Sequence, residues 1–212
     1  MGLNLTNYNI IKKALTSSCQ FMAVTKSRPL EDILELINFD HDLFGENRVQ
    51  EAEKKFKTFR DTYKFELHLI GPLQSNKVEL ALSTFDCIQS LDRKKIVDAI
   101  VKFKNKNSEK IKTKKFFIQI NIGDENQKSG ITKNDLRQLI SYCKKIGLNL
   151  IGLMCIPPAD IDPEKYFEET SNLNKTLNFS ELSMGMSSDF LKAAKYHSTY
   201  VRIGSRIFGQ RF

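Results

Sequence analysis

The sequence predicts an α/β fold, a single (β/α)₈ TIM barrel over residues 1–212. Three observations carry that prediction. Eight short runs rich in β-branched or aromatic residues recur along the chain, and helical patterns fill the intervals between them. No Pro/Gly/Ser-rich linker, internal repeat or low-complexity block divides the sequence. The first strand-like run leads into Thr25-Lys26-Ser27 with no glycine, whereas an open doubly wound sheet predicts fewer strands and a Gly-rich turn at that place.

The elements follow in order. Asn4 or Thr6 caps a first helix. Strands are read at 21–25, 43–46, 66–70, 86–89, 116–121, 150–154, 181–184 and 200–203. The helix at 29–37 has proline in its first turn and Leu30, Ile33, Leu34 and Ile37 at helical spacing. Further helices are read at 48–59, 75–82, 92–103, 132–143, 163–177 and 189–195. Thr132 with Asp135 reads as an N-cap and its third-position acid, and Gly147 after Lys144 and Lys145 reads as a stop.

Composition narrows the function classes. The hydrophobic content of 41%, with 15 Phe, is ample for a buried core. No apolar run approaches a membrane span, and the N-terminus lacks a signal-peptide core. Gly2 with Thr6 matches a loose myristoylation pattern, but nothing polybasic follows closely enough to secure an anchor. Cys19, Cys87, Cys143 and Cys155 are scattered, with no metal-ligand spacing, and read as reduced, buried thiols in a cytoplasmic protein. The net charge of +8 comes mainly from lysine, with seven lysines in 102–115. A nucleic-acid surface interleaves arginines and aromatics for phosphate forks and stacking. This segment reads instead as a solvated helix end and loop, and no nucleic-acid partner is expected. His41, His68 and His197 have no triad partner by spacing, and His68 alternates so as to point into the barrel. Glu46 and Glu51 are read as serving local structure.

In a barrel, function sits where strands end and loops begin, with phosphate often held after strands seven and eight. Ser187 and Ser188 follow strand seven, and Gly204 and Ser205 follow strand eight. Two such turns side by side offer backbone N–H groups and hydroxyls to a phosphate monoester, although Ser-Ser-Asp is also an ordinary helix cap. Strand one ends on Lys26. A lysine at the barrel mouth is partly desolvated, which favours the neutral amine that attacks an aldehyde; the alternative is one surface lysine among many. With a phosphate cup across the same mouth, a phosphorylated aldehyde is the economical ligand, and pyridoxal 5'-phosphate (PLP) is one. Arg202 alternates with Val201 and Ile203, so it points into the barrel top. A guanidinium facing a pyridine nitrogen must donate to it and leaves it unprotonated. The alternative for Arg202 is an ion pair with a nearby carboxylate such as Glu46.

The motifs AVTKSRP, FGENRVQEAEKK, HLIGPLQSNK, QINIGDENQKSGI, IGLMCIPP, LSMGMSSDF and STYVRIGSRIFGQR, in this order, span nearly the whole chain. Together they resemble the PLP homeostasis family, whose fold is of the alanine racemase N-terminal-domain type. The resemblance implies one PLP held as a Schiff base on Lys26, Arg202 at the pyridine nitrogen, and phosphate bound by Ser187, Gly204 and Ser205. Asn47 and Met184 belong to segments implied to line the same mouth. Departures are small: Thr25 stands where the family commonly has Ser, His197 where it often has Gly, and Ser205-Arg206 where many members have Thr-Ala. The His197 departure bears on the backbone of the turn before strand eight.

The resemblance implies a protein that holds PLP and takes part in vitamin B6 and amino-acid balance, with PLP-dependent apo-enzymes as partners. Alanine racemase resembles this barrel but adds a C-terminal domain that supplies a second acid/base. The chain ends shortly after strand eight, so a PLP carrier rather than an enzyme, and a monomer, are expected. The alternative is a PLP-dependent racemase or lyase of low activity.

Overall fold

A computed structural model describes residues 2–125, 127–159 and 161–209. Eight parallel strands close into a barrel in sequence order: β1 (Gln20–Val24), β2 (Leu43–Glu46), β3 (Glu66–Leu69), β4 (Cys87–Leu91), β5 (Lys115–Ile120), β6 (Leu150–Cys155), β7 (Glu181–Met186) and β8 (Tyr200–Ile203). Closure is made by β1 against β8, with Gln20 opposite Tyr200 and Ala23 opposite Ile203.

The helices wrap the outside. They are α1 (Leu5–Ala14), α2 (Leu30–Asn38), α3 (Val49–Phe56), α4 (Val78–Thr84), α5 (Lys94–Lys104), α6 (Lys133–Lys145), α7 (Glu164–Thr176), α8 (Phe190–Lys195) and the short α9 (Ser205–Phe208). The expected caps are in place. Asn4 Oδ1 accepts from Asn7 N at 2.9 Å, which absorbs the polar residues of the N-terminal segment into α1. Thr132 Oγ1 accepts from Asp135 N at 3.2 Å. Gly147 takes φ +69° just past α6. Two helices are shorter at one end than their patterns suggest: α3 stops at Phe56, and a 3₁₀ turn, Ser75–Lys77, precedes α4.

Strand alternation sorts the apolar residues into two cores. Phe21, Ala23, Phe44, Leu67, Leu69, Leu182, Val201 and Ile203 face outward and pack under the helices. Met22, Val24, Leu43, Ile70, Cys87, Phe117, Met154 and Tyr200 fill the barrel. The interior also carries buried polar side chains, among them His68, Gln89, Ser183 and Arg202. All four cysteines are buried and unbridged. Among the described residues no helix is long and apolar enough to cross a membrane, and no cluster could hold a metal ion.

One irregularity positions the mouth. Ser183 pairs with Tyr200 and Met186 with Arg202, so β7 spends one residue more than β8 over this stretch. The extra residue is a bulge at Gly185, whose φ is +90°. A Cβ there would lie 2.4 Å from the Ala193 Cβ, so only glycine fits. The bulge resets the alternation and brings Met186, rather than Gly185, opposite Arg202.

Candidate functional site

A cavity of about 550 Å³ opens at the C-terminal end of the barrel. Its lining comes from the ends of six strands. Val24 and Lys26 come from β1 and its turn, Asn47 from the turn after β2, and Ile70 from the residue after β3. Ile156 follows β6, and the loops after β7 and β8 give Met186, Ser187, Ser188, Gly204 and Ser205, with Arg202 from β8 itself. Six of the seven residues expected from the sequence, Lys26, Asn47, Ser187, Arg202, Gly204 and Ser205, therefore surround one space.

Met184 does not. Its side chain is buried in the outer core under the helices, because it precedes the Gly185 bulge and faces away from the barrel axis. Met186 takes the place in the lining expected of Met184. Val24, Ile70 and Ile156 supply further apolar lining that the sequence reading did not name. A glycine inside a strand-like run was the available signal that alternation breaks between Met184 and Met186.

The turn that carries Lys26 is held from behind. Thr25 is fully buried, and its Oγ1 donates to Glu46 Oε1 at 2.8 Å. Lys55 Nζ donates to the Thr25 carbonyl at 2.7 Å and lies 2.5 Å from Glu46 Oε1 and 2.9 Å from Glu51 Oε1. Glu51 in turn accepts from the Ser27 amide at 2.5 Å. These bonds hold Ser27 at φ +59°, an unusual conformation for a non-glycine residue. Burial pushes the Glu46 carboxyl up, against Lys55 and Thr25, which pull it down. Glu46 thus serves the Lys26 turn and does not pair with Arg202. Close by, a Cβ on Gly71 would lie 2.2 Å from the Asn47 carbonyl oxygen, so the loops after β2 and β3 can touch only because residue 71 is glycine.

Across the mouth, the two serine-bearing turns meet. Gly204 N donates to Ser187 Oγ at 3.2 Å, and Arg206 Nη1 donates to the Ser187 carbonyl at 3.3 Å while its guanidinium stacks on Phe190. Asp189 accepts from the Met186 amide at 2.6 Å and so tightens the turn after the bulge. Amide and hydroxyl groups thereby gather at one edge of the cavity, facing a place where an anion can accept from them.

Arg202 lies between these groups and the barrel interior. It is 4% exposed. Nη1 donates to Ser183 Oγ at 2.9 Å and Nη2 to the Cys155 carbonyl at 2.8 Å. Desolvation lowers its basicity, and among the described residues no carboxylate pairs with it. A buried guanidinium held only by neutral oxygens keeps further N–H groups for a ligand in the cavity.

These features place a lysine, a buried donor and an anion-binding edge around one small cavity. The model of the alanine racemase N-terminal domain matches residues 5–211. The pyridoxal phosphate homeostasis protein of Pasteurella multocida (strain Pm70) is 40% identical over 210 residues, covering 92% of this chain and 88% of its own length. The chain belongs to the pyridoxal phosphate homeostasis protein family. A PLP-bound structure of one relative, PipY of Synechococcus elongatus PCC7942, superposes with a TM-score of 0.86 at 28% identity, over 96% of this chain and 99% of that one. Alanine racemase of Acinetobacter baumannii, at 18% identity and a TM-score of 0.74 over 94% of this chain and 59% of its own, shares the barrel fold. In this chain Lys26 and Arg202 line one cavity at the barrel mouth.

Proposed function

We propose that this chain binds PLP at the barrel mouth, as a Schiff base on Lys26, and serves as a holder of the cofactor in PLP homeostasis. Lys26 would hold the cofactor through its aldehyde, with loss of one water. Ser187, Ser205 and the Gly204 amide would hold the phosphate, Arg202 would donate toward the ring nitrogen, and Asn47, Ile70, Ile156 and Met186 would border the ring. PLP supplies an electron-poor ring that stabilises negative charge on an attached carbon. Donation from a guanidinium that keeps its proton weakens that property.

The observation that carries this reading is Arg202, a buried cation held by two neutral oxygens across a small cavity from the Lys26 turn. Among the described lining residues, Lys26 is the basic side chain suited to take a proton from carbon, and no histidine, tyrosine or carboxylate stands opposite it. Racemisation needs an acid or base on each face, which favours a holder that passes PLP to apo-enzymes over a racemase.

The test is an absorption spectrum of purified protein loaded with PLP, before and after borohydride, followed by peptide mapping. A reducible chromophore with its label on Lys26, lost in Lys26→Ala, is expected. A label on another lysine overturns the anchoring. Ser187→Ala with Ser205→Ala should weaken PLP retention by roughly tenfold or more, as expected for losing hydrogen bonds to a charged acceptor. Sustained amino-acid turnover that depends on Lys26 would favour the enzyme over the holder.

A further inference from the structure

Arg202 is the upper end of a continuous row of buried polar side chains through the barrel. Ser183 Oγ accepts from Arg202 and donates to Gln89 Oε1 at 2.7 Å. Gln89 Nε2 lies 2.8 Å from His68 Nδ1. His68 Nε2 lies 3.0 Å from Glu66 Oε1, and Lys115 Nζ donates to the same oxygen at 3.2 Å. Ser183, Gln89 and His68 are each fully buried, and the Tyr200 ring packs edge-on against His68. Glu66 opens β3, so the row runs from the mouth to the opposite, N-terminal end of the barrel.

Arg202 sets the direction of the protons along the row, and the Glu66 charge favours the same direction. A guanidinium only donates, and an ionised carboxylate only accepts. With Arg202 donating, the Ser183 hydroxyl is left to donate to the Gln89 carbonyl oxygen. The Gln89 amide nitrogen then faces His68 Nδ1, which must accept, so a neutral imidazole carries its proton on Nε2, 3.0 Å from Glu66 Oε1 but not aligned for a hydrogen bond to it. Reversing the Gln89 amide would place its N–H₂ against a Ser183 oxygen already receiving Arg202. In the neutral ring it would also leave a bare Nε2 against the Glu66 carboxylate. Glu66 is held well below the usual carboxylate range, to about 2, by His68 beside it and by Lys115, so it remains negatively charged.

We propose that Ser183, Gln89 and His68 are positioning residues for Arg202, forming a one-way hydrogen-bond chain that holds its guanidinium as a donor at the ring-nitrogen end of the site, with its last member in electrostatic contact with Glu66 on the far side of the barrel. This rests on the reading of the mouth as a PLP site. The chain compensates a buried cation that no carboxylate among the described residues pairs with, because each dipole presents its negative end toward Arg202 and a negative charge, Glu66, lies beyond its last member. Its effect on the ligand is orientational. A guanidinium fixed by Ser183 and the Cys155 carbonyl cannot swing toward the phosphate edge.

The test uses Gln89→Met, which removes both central bonds at nearly constant length, and Glu66→Gln, which alters only the distal end. Arg202→Gln is the reference. Both relay variants should keep the borohydride label on Lys26, shift the absorption maximum of bound PLP in the same direction as Arg202→Gln, and retain PLP up to about tenfold less tightly. In the ligand-free wild-type protein, nitrogen NMR of His68 should show the neutral ring protonated on Nε2. A spectral shift in Arg202→Gln with wild-type spectra in both relay variants overturns the relay and leaves the PLP site standing. A His68 ring protonated on Nδ1 overturns it as well, even if Gln89→Met does not fold. Loss of PLP binding at Lys26 in the wild-type protein, or an unchanged spectrum in Arg202→Gln, removes the underlying reading and the relay with it.

Discussion

Lys55 Nζ lies 2.5 Å from Glu46 Oε1, with the Lys55 side chain 13% exposed and Glu46 fully buried. The same ammonium donates to the Thr25 carbonyl, one residue before Lys26. A second lysine thus fixes the backbone that delivers the first, and two carboxylates, Glu46 and Glu51, hold that second lysine in place. This makes the Lys26 turn part of the packed structure behind the strands rather than a loose loop at the rim.

Replacing Lys55 with methionine leaves Glu46 buried without its cation. The expected loss is about 3 kcal/mol of stability at neutral pH, near the lower end for breaking a buried pair because Glu46 can take up a proton. Urea denaturation measures it. Lys55→Met combined with Glu46→Gln should recover most of the loss, since the unpaired charge is then absent. A double variant as unstable as the single one would place the effect in the Thr25 carbonyl bond instead.

His41 was legible only as a loop residue, yet it is buried among Tyr8, Phe21 and Phe44. Its Nε2 is 2.8 Å from the Leu43 carbonyl, and burial pushes the imidazole down to about 4. The unfolded chain therefore binds this proton more readily than the folded one. Stability is unaffected above about pH 7 and falls as the pH drops through the unfolded value of 6.5 toward 4, by about 3 kcal/mol in all. Denaturation midpoints measured from pH 7 to pH 4 should decline less in His41→Gln than in the wild-type protein. Parallel declines would mean that other groups govern the acid limb.

The barrel was legible because strand and helix periods are local properties, and each of the eight strand positions is occupied near where alternation puts it. Lys26, Ser187, Gly204 and Ser205 were legible for a related reason: in a closed parallel barrel, the residue after a strand must lie at the mouth. Met184 was named only through the resemblance, which implies a segment and not a side-chain direction, and the bulge at Gly185 that follows it turns Met186 to the cavity instead. Glu46 was legible as a structural carboxylate, but its partner was not, because Lys55 comes from the second turn of a neighbouring helix, a pairing that only packing brings about. The path from Arg202 to Glu66 uses β8, β7, β4 and β3, and no single stretch of sequence contains two of its links except Glu66 and His68.

Gly185 is the residue on which the lining of the mouth turns. Gly185→Ala puts a Cβ 2.4 Å from that of Ala193 at a backbone φ of +90°. The conformational cost alone is about 1–2 kcal/mol, and the contact adds to it. The expected result is a lower urea midpoint together with weaker PLP retention, because relieving the strain displaces Met186 and Ser187. A variant that loses stability but retains PLP with wild-type affinity would show that the bulge does not set the geometry of the binding edge.

His197 occupies the turn between α8 and β8 with φ +65°, in the left-handed region, and its side chain is exposed. The residue before it and the one after are held by backbone bonds, Tyr196 N to the Ala193 carbonyl at 3.0 Å and Ser198 N to the same carbonyl at 3.2 Å. The positive φ is therefore dictated by the helix end and not by any contact of the imidazole. Glycine adopts that conformation without a Cβ penalty but gives the unfolded chain more freedom, and the two effects oppose each other. Because the left-handed penalty is about 1–2 kcal/mol and the entropic one about 0.5–1 kcal/mol, His197→Gly should stabilise the protein by up to about 1 kcal/mol. The Ser198 hydroxyl, which bonds the Met184 and Tyr200 carbonyls at 2.8 and 2.9 Å, should keep β7 and β8 in register, so PLP retention should not change. Thermal unfolding measures the first effect and a PLP titration the second. A destabilised His197→Gly would mean that the imidazole makes a stabilising contribution beyond the turn itself.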